Sequence, residues 1–472
     1  MIAATAAAFS SPLHRSLAAC MMMAMACSAT AAPSVFPTGV TRYDPERAWN
    51  GYVLFSGQDK KTHLIDMNGN EVRQWPHEGF PPVLVDPALA GGARGNILLQ
   101  LSNAKGAQAG NGLGNKSIGE LDWSGKVLWQ WGAAGDAYAS ASVQTGGAPG
   151  GAAKQHHDWR RLANGNTLVL ANLVHPVQGF TAPQVLDDVI YEVTPSGSIA
   201  WQWVASEHLN ELGFSPESLK LVLAAKPRNG AQAVDYLHIN NMAVLGANKW
   251  HAQGDARFHP NNIIISSRES NIIAIIDRKT GKVAWTLGPD FPAIAGAQVP
   301  RAVDQIIGPH DAHLIAEGLP GAGNLLVFDN QGEAGYPRVS PGIFPHSRVL
   351  EIDPVRKQIV WQYTAANSAQ TLWSFYSAFI SSARRLPNGN TLIDEGMNGR
   401  FFQVTQQGDI VWEYVSPYFG SSPVGGEGGP VLTNWVYRAL PVPYNWVPPE
   451  TPRSEKPVAA HNAATEHLVA RP

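Results

Sequence analysis

The feature that most constrains this chain is a pattern that returns six times between about Tyr43 and Tyr414. It appears as GYVLFSG with THLIDMNGNEVRQW, as GNILLQLS with KSIGELDWSGKVLWQWG, and as NGNTLVLAN with DVIYEVTPSGSIAWQWV. It returns as NNIIISSRESNIIAIIDRKTGKVAWTLG, as GNLLVFDN with SRVLEIDPVRKQIVWQY, and as NGNTLIDEG with GRFFQVTQQGDIVWEY. The grammar is a short strand after Gly-Asn, a second strand ending in an acidic or polar residue, a turn with Gly, and a strand ending in Trp. Alternation of apolar and polar residues with turn residues at the junctions marks antiparallel strands. Regular four-stranded units, each burying one face only against its neighbours, are the parts of a propeller. The expected fold is therefore all-β, a six-bladed β-propeller with four-stranded antiparallel blades.

Size agrees with repetition. At 472 residues the chain exceeds the roughly 250–300 residues at which one hydrophobic core stops growing. Charged residues are only 15%, and 46 Gly and 35 Pro supply the turns of a β protein. A net charge of -3 gives no general pull toward nucleic acid or an anionic membrane.

Residues 1–32 read as a signal peptide. His14 and Arg15 precede an apolar run from Leu17 to Ala26, and Ala29 and Ala31 form an A-x-A cleavage site. An acylated Cys27 is the alternative reading of the same stretch. Cleavage removes Cys20 and Cys27, the only cysteines, and with them any disulfide, thiol nucleophile or cysteine metal site. No later stretch resembles a membrane span, so a periplasmic or secreted protein is expected. The propeller is expected over residues 33–445, with 446–472 a proline-rich segment that wraps and then becomes a largely disordered tail.

Trp129, Trp201, Trp285, Trp361 and Trp412 occupy equivalent strand ends and are expected to pack between blades. The insert AAGDAYASASVQTGGAPGGAAKQ reads as a mobile loop, and SPESLKLVLAAKP as a short amphipathic helix.

Context separates the histidines. His63, His77, His175, His259, His346, His461 and His467 sit in loops or tails and read as solvated or capping residues. His156 and His157 precede DWRRLANGNTLVL, His238 sits in DYLHINN and His310 in GPHDAHL, at or just before the first strand of a blade. The first strand is the innermost, so these positions converge on the central channel from different blades. Arg268 follows the strand IIISS; its bland role is a salt bridge to Glu269 or Asp277, and its functional one is to hold an oxyanion. Three histidines would also suit zinc, but Arg268 opposes a cation. Asp158 and Asp311 each follow a histidine and are expected to orient imidazoles or point into a turn. Neither a metal nor a cofactor is expected.

These stretches, QHHDWRRLANGNTLVLAN, DYLHINN with IIISSRESNIIAIID, GPHDAHL with GNLLVFDN, and SARRLPNGNTLIDEGMNGRFFQVTQQGDIVWEY, resemble the bacterial arylsulfate sulfotransferases, which are exported six-bladed propellers. The resemblance implies ping-pong transfer of a sulfuryl group from a phenolic sulfate donor to a phenolic acceptor through a sulfated histidine. By motif it assigns the nucleophile to His310 and oxyanion stabilisation to His157, His238 and Arg268. His157 is preferred to His156 because Asp158 follows it.

The chain departs from well-studied members of that family in lacking an N-terminal β domain and a disulfide near the site. The stretch between His238 and Arg268 is also longer than the resemblance leads one to expect. A quinoprotein dehydrogenase is the alternative, because IIDRKTGKVAW is similar to the tryptophan-docking repeat of those propellers. The other copies lack that D-x-x-T-G core, however. A non-catalytic ligand-binding propeller is the third reading.

Overall fold

The computed structural model describes residues 37–101, 117–132, 154–228, 231–292, 298–335, 343–422 and 431–460. The expected leader, most of the Gly/Ala/Ser-rich insert and the last twelve residues lie outside these. Six antiparallel sheets form the blades of a β-propeller. Blade 2 runs Val83–Leu84, Ile97–Gln100, Ile118–Leu121, Val127–Trp131; blade 3 runs Lys154–Arg161, Thr167–His175, Val185–Val193, Ile199–Val204. Blade 4 runs Ile239–Val244, Ile263–Ser267, Ile272–Ile276, Val283–Leu287; blade 5 runs His310–Leu314, Leu325–Asp329, Arg348–Asp353, Gln358–Tyr363. Blade 6 runs Ser382–Arg385, Thr391–Glu395, Arg400–Val404, Ile410–Val415.

The Gly-Asn strand of the repeat is thus the second strand of its blade, and the strand before it is innermost. Blade 1 is the exception. Its strands Tyr52–Ser56, Thr62–Ile65 and Glu71–Trp75 take their innermost partner from the far end of the chain, Leu440–Val442. Gly39–Tyr43 in turn adds a fifth, outer strand to blade 6. The two ends of the chain therefore close the ring by hydrogen bonding across it. Residues past this strand stay against blades 1 and 6: Tyr52 of blade 1 donates its hydroxyl to Thr451 O at 3.0 Å, and Tyr43, in the added strand of blade 6, exchanges backbone hydrogen bonds with Val458 at 2.8 and 2.9 Å. The wrapping part of the proline-rich segment thus reaches at least residue 460, because it covers the open edge of the strand Gly39–Tyr43.

The blades bury both faces, not one. In blade 4, Ile263, Ile265, Ile272, Ala274 and Ile276 pack with Leu168 and Ile190 of blade 3. Ile264, Ile273 and Ile275 pack with Leu325 and Val327 of blade 5. This is why IIISS and IIAII are continuous apolar runs: each residue faces one neighbour or the other, and each buried Ile contributes about 1.5–3 kcal/mol.

Indoles stitch the seams. Trp285 Nε1 donates to Pro354 O of blade 5, Trp361 to Gln406 O of blade 6 and Trp412 to Met67 O of blade 1. In the two earlier repeats the donors are Trp131, to Gly197 O, and Trp203, to Gly281 O, not Trp129 and Trp201. Trp129 and Trp201 still pack between blades, Trp129 under the Arg161 guanidinium of the next blade, 5.0 Å away. The expected amphipathic helix is Pro216–Leu223, capped by the Ser215 side chain on Ser218 N–H.

Candidate active site

The inner strands of blades 3, 4 and 5 are irregular where their histidines sit. Pairing with the second strand shifts register between Val169 and Ala171 in blade 3, between Ile239 and Asn241 in blade 4, and between His310 and His313 in blade 5. At or just before each shift one residue that is not glycine takes a left-handed backbone: His157 at φ 57° and Asp311 at φ 56° within it, and His238 at φ 53° immediately before the strand of blade 4. Such a residue costs about 1–2 kcal/mol. What the bulge achieves is to re-aim consecutive side chains, here into the channel. Cross-blade hydrogen bonds hold the three bulges together: Asn240 Nδ2 donates to Pro309 O at 2.8 Å, and Met242 N–H to Asp158 Oδ2 at 3.1 Å.

His310 is 2% exposed, and its tautomer follows from its partners. Nδ1 faces two acceptors, Asn330 Oδ1 at 2.7 Å and Gly308 O at 3.0 Å, so it carries the proton. Nε2 accepts the Ile380 backbone N–H at 3.2 Å, so it carries the lone pair. Burial first, and then the Arg268 charge, pull the His310 pKa down to about 3, against the two hydrogen bonds at Nδ1. The ring is a neutral base and nucleophile at any physiological pH.

His157 and His238 lie edge to face with centroids 4.9 Å apart. Burial, followed by the neighbouring His238, His156, His310 and Arg438, holds His157 well below the ordinary imidazole range. His238 goes the other way. Burial alone lowers it, but Asp235 Oδ2, 2.5 Å from Nδ1, more than offsets burial and leaves the pKa raised. Arg268 is anchored by its backbone, whose N–H donates to His238 O at 3.1 Å. Its Nη1 takes the bland partner, Glu269 Oε1 at 2.9 Å. Its Nε, buried, has no hydrogen-bond partner among the described residues, and its charge still reaches His310, His238 and Asp235. The long stretch between His238 and Arg268 is absorbed where the first two strands of the blade join, at the end away from these residues, as a short helix, Lys249–Ala252, and a helical turn, Ala256–Phe258.

The structure thus brings together all four residues picked from the sequence. It assigns the two aspartates differently. Neither carboxylate bonds an imidazole: Asp158 Oδ2 accepts Arg438 Nη1 at 3.0 Å, and Asp311 holds Arg384 as well as Arg438 Nε at 3.3 Å, while only its backbone carbonyl meets His313 Nδ1, at 2.7 Å. His63 and His175 are not solvated. His63 is buried between Asp59 and Glu71 at 3.0 and 2.6 Å, and His175 is paired with Asp187 at 2.9 Å. Among the described residues no group of three or more His, Cys, Asp or Glu is placed to hold a metal ion.

Four contributors escape a reading of the sequence. Asn330 fixes the His310 tautomer and donates to Ser377 O and Ile380 O at 2.7 and 2.8 Å. Ile380 holds its N–H on Nε2 from a left-handed backbone, φ 58°, a conformation rare for a β-branched residue. Tyr437 and Arg438 arrive from the closing segment; Tyr437 lies 5.4 Å from His157 and stacks on Phe80 at 4.1 Å. The only local hints are that Asn330 ends the quoted GNLLVFDN and that Asp235 stands three residues before His238.

Three adjacent blades thus place a neutral His310 beside His157, His238, whose pKa Asp235 raises, and Arg268. The sequence profile of the family arylsulfotransferase (ASST) matches residues 94–417, which include His157, His238, Arg268 and His310, and the chain belongs to that family. No curated protein matches the chain. Among solved structures it is similar to a protein of unknown function from Bacteroides caccae, with 14% identity over 84% of this chain and 99% of that one at a TM-score of 0.44. It is also similar to a streptogramin B lyase structure, with 14% identity over 86% and 93% at 0.35, and to virginiamycin B lyase from Staphylococcus aureus, with 12% over 82% and 88% at 0.35. Scores this low carry no argument; the fold rests on the sheet topology.

Proposed function

We propose that this arylsulfotransferase-family protein moves a sulfuryl group from a phenolic sulfate ester to a phenolic acceptor in two displacements at His310, after export to the periplasm or exterior. The observation that carries the reading is the tautomer of His310, with the lone pair on Nε2 and the Nδ1–H bound by Asn330 and Gly308.

In the first displacement Nε2 attacks sulfur, the N–S bond forms and the S–O bond to the aryl group breaks. The phenol departs with a proton, and the positive charge of the sulfated ring is met at Nδ1–H by the Asn330 and Gly308 oxygens. In the second, the acceptor phenol gives up its proton, its oxygen attacks sulfur and the N–S bond breaks, which restores neutral His310. A sulfate ester spreads negative charge over three oxygens and repels a nucleophile. His238, kept cationic by Asp235, and Arg268 offset that repulsion and strengthen as charge builds in the transition state. The incoming sulfur displaces the Ile380 N–H from Nε2, and that donor then sits beside a sulfuryl oxygen.

Intact mass after incubation with 4-nitrophenyl sulfate tests the reading. One SO3 group should appear on the wild-type protein, mapped to His310, and none on His310→Ala. Nitrophenol release at the wild-type rate by His310→Ala would show that another group does the chemistry.

A further inference from the structure

Two histidines share the bulge of blade 3; the family resemblance gives a part only to His157, and the two displacements above use neither. His156 is 3% exposed, and its Nδ1 lies 2.6 Å from Nδ1 of His157. Two ring nitrogens at that distance must have a proton between them, one donating and one accepting. The other nitrogen of His156, Nε2, lies 3.1 Å from Asp188 Oδ1, and Asp188 is itself pinned by the Ile239 N–H on Oδ2 at 3.0 Å. On the far side of the chain, His157 Nε2 makes no hydrogen bond among the described residues. Its ring is flanked by His238 at 4.9 Å and by Phe80 and Tyr437, each at 5.4 Å.

We propose that Asp188, His156 and His157 form a proton relay that protonates the leaving phenolate oxygen in the first displacement and takes the acceptor phenol's proton in the second. This rests on the two-displacement reading and supplies its proton step. In the loaded state the Asp188–His156 pair holds one proton beyond neutral imidazole, His156 donates Nδ1–H to His157, and His157 presents Nε2–H. As the aryl S–O bond breaks, the Nε2 proton passes to the phenolate oxygen and the Nδ1 proton of His156 passes to Nδ1 of His157. Phenol leaves; His156 is neutral and His157 carries a lone pair on Nε2. The acceptor phenol then gives its proton to that lone pair, the Nδ1 proton returns to His156, and the relay is reloaded.

The surroundings favour passing a proton through His157 over storing one there. The neighbours that weigh most on it, His238, His156, His310 and Arg438, act with burial to disfavour an imidazolium. In the relay His157 never becomes one. Asp188 is lifted by burial, and by Asp235 nearby, above the ordinary carboxylate range even with His156 beside it, which suits a proton shared by the pair. In the free protein the Asp188–His156 contact is short but not linear, as catalytic contacts often are before substrate aligns them.

The test uses two donors that differ in leaving group: phenyl sulfate, whose phenolate needs a proton, and 4-nitrophenyl sulfate, whose phenolate does not. For His156→Gln and Asp188→Asn, kcat/KM on phenyl sulfate should fall about 10²-fold, and at least about tenfold more than on 4-nitrophenyl sulfate. Equal losses on both donors would leave His156 a merely structural role and overturn the relay. Where the variants fail to fold, the unmodified protein still decides. Its rate on phenyl sulfate in mixtures of light and heavy water should bow below a straight line, as for two protons in flight, and a straight line overturns the relay. A protein that gains SO3 yet shows equal losses or a straight line refutes the relay alone; one that neither gains SO3 nor releases phenol from either donor refutes the transferase reading and the relay with it.

Discussion

The inner strands of blades 3, 4 and 5 and those of blades 1, 2 and 6 hold the same place in their blades, yet they are built differently. Val83–Leu84, Ser382–Arg385 and Leu440–Val442 pair with their second strands in unbroken register. Lys154–Arg161, Ile239–Val244 and His310–Leu314 each carry a bulge, and the strained residues His157, His238 and Asp311 lie at these shifts or, for His238, directly before one. A regular strand turns alternate side chains to opposite faces, so it cannot aim neighbouring residues at one point. The bulged strands give up ladder hydrogen bonds and accept strain to do so, and all four residues of the candidate site lie on them or are bonded to them. Regular inner strands close the ring; bulged ones carry the candidate site.

The sharpest way to break this contrast is to substitute on both sides of it. His310→Ala should lower kcat by about 10⁴-fold or more, whereas Val83→Ala, on a regular inner strand, should leave the specific activity within about twofold. Initial rates with 4-nitrophenyl sulfate and phenol check both, and a collapse of activity in Val83→Ala would dissolve the distinction. Arg268→Ala should follow at about 10²–10³-fold in kcat, as for loss of one preorganised oxyanion donor, with Arg268→Lys only a partial rescue because an ammonium lacks the planar fork. A loss under tenfold would mean that Arg268 serves Glu269 alone.

Asn330 extends the contrast to a residue outside the bulges. Asn330→Ala removes the Oδ1 acceptor from His310 Nδ1–H and the donor from Ser377 O and Ile380 O. It should cost about 10²-fold in kcat through loss of orientation, with KM little changed; a rise in KM with kcat intact would mean that it shapes binding instead. The contrast between His238 and His310 is one of pH. His310 stays neutral down to about pH 3, so it contributes no acid limb near neutrality. His238 is raised above its unfolded value near 6.5. The stability and activity that depend on its cation are therefore full below about 6.5 and lost as pH rises through the raised value. Asp235→Asn should move the alkaline limb of kcat/KM to lower pH, and an unmoved limb would assign it to another group.

Much of this was legible in the chain because it is local. Gly-Asn turns, alternating strands and strand-end tryptophans sit within a few residues of one another, so the six blades and the three histidine-bearing strands could be placed. Which indole donates across a seam is not legible where a repeat holds two tryptophans, since Trp129 and Trp131 stand two residues apart on one face of their strand and both pack against the next blade. What could not be read is what the ring closure brings from afar. Tyr437 and Arg438 reach Asn240 and Asp158 from about 200 and 280 positions away in sequence, and nothing local to PVPYNW or VYRAL marks them. The partners of His63 and His175 were hidden for a related reason: Asp59, Glu71 and Asp187 face them only once neighbouring strands pair.

The smallest expected effect tests whether the seams obey the same logic as the axis, in which burial decides how much a hydrogen bond matters. Trp412 and Trp361 hold equivalent places and make equivalent bonds, to Met67 O and Gln406 O at 2.8 and 2.9 Å. Trp412 is fully buried, while the Trp361 bond is open to water. Removing the indole N–H as Trp412→Phe leaves a buried carbonyl without its donor and should cost about 1–3 kcal/mol of stability. In Trp361→Phe water can replace the lost donor, so the cost should be about 0.5 kcal/mol. Urea denaturation of the two variants measures the difference, and specific activity per folded molecule should match the wild type in both. Equal destabilisation would mean that the seams are held by indole area rather than by the hydrogen bond. A loss of activity in Trp412→Phe would mean that strain at the seam between blades 6 and 1 reaches His310, against the separation of ring closure from chemistry drawn above.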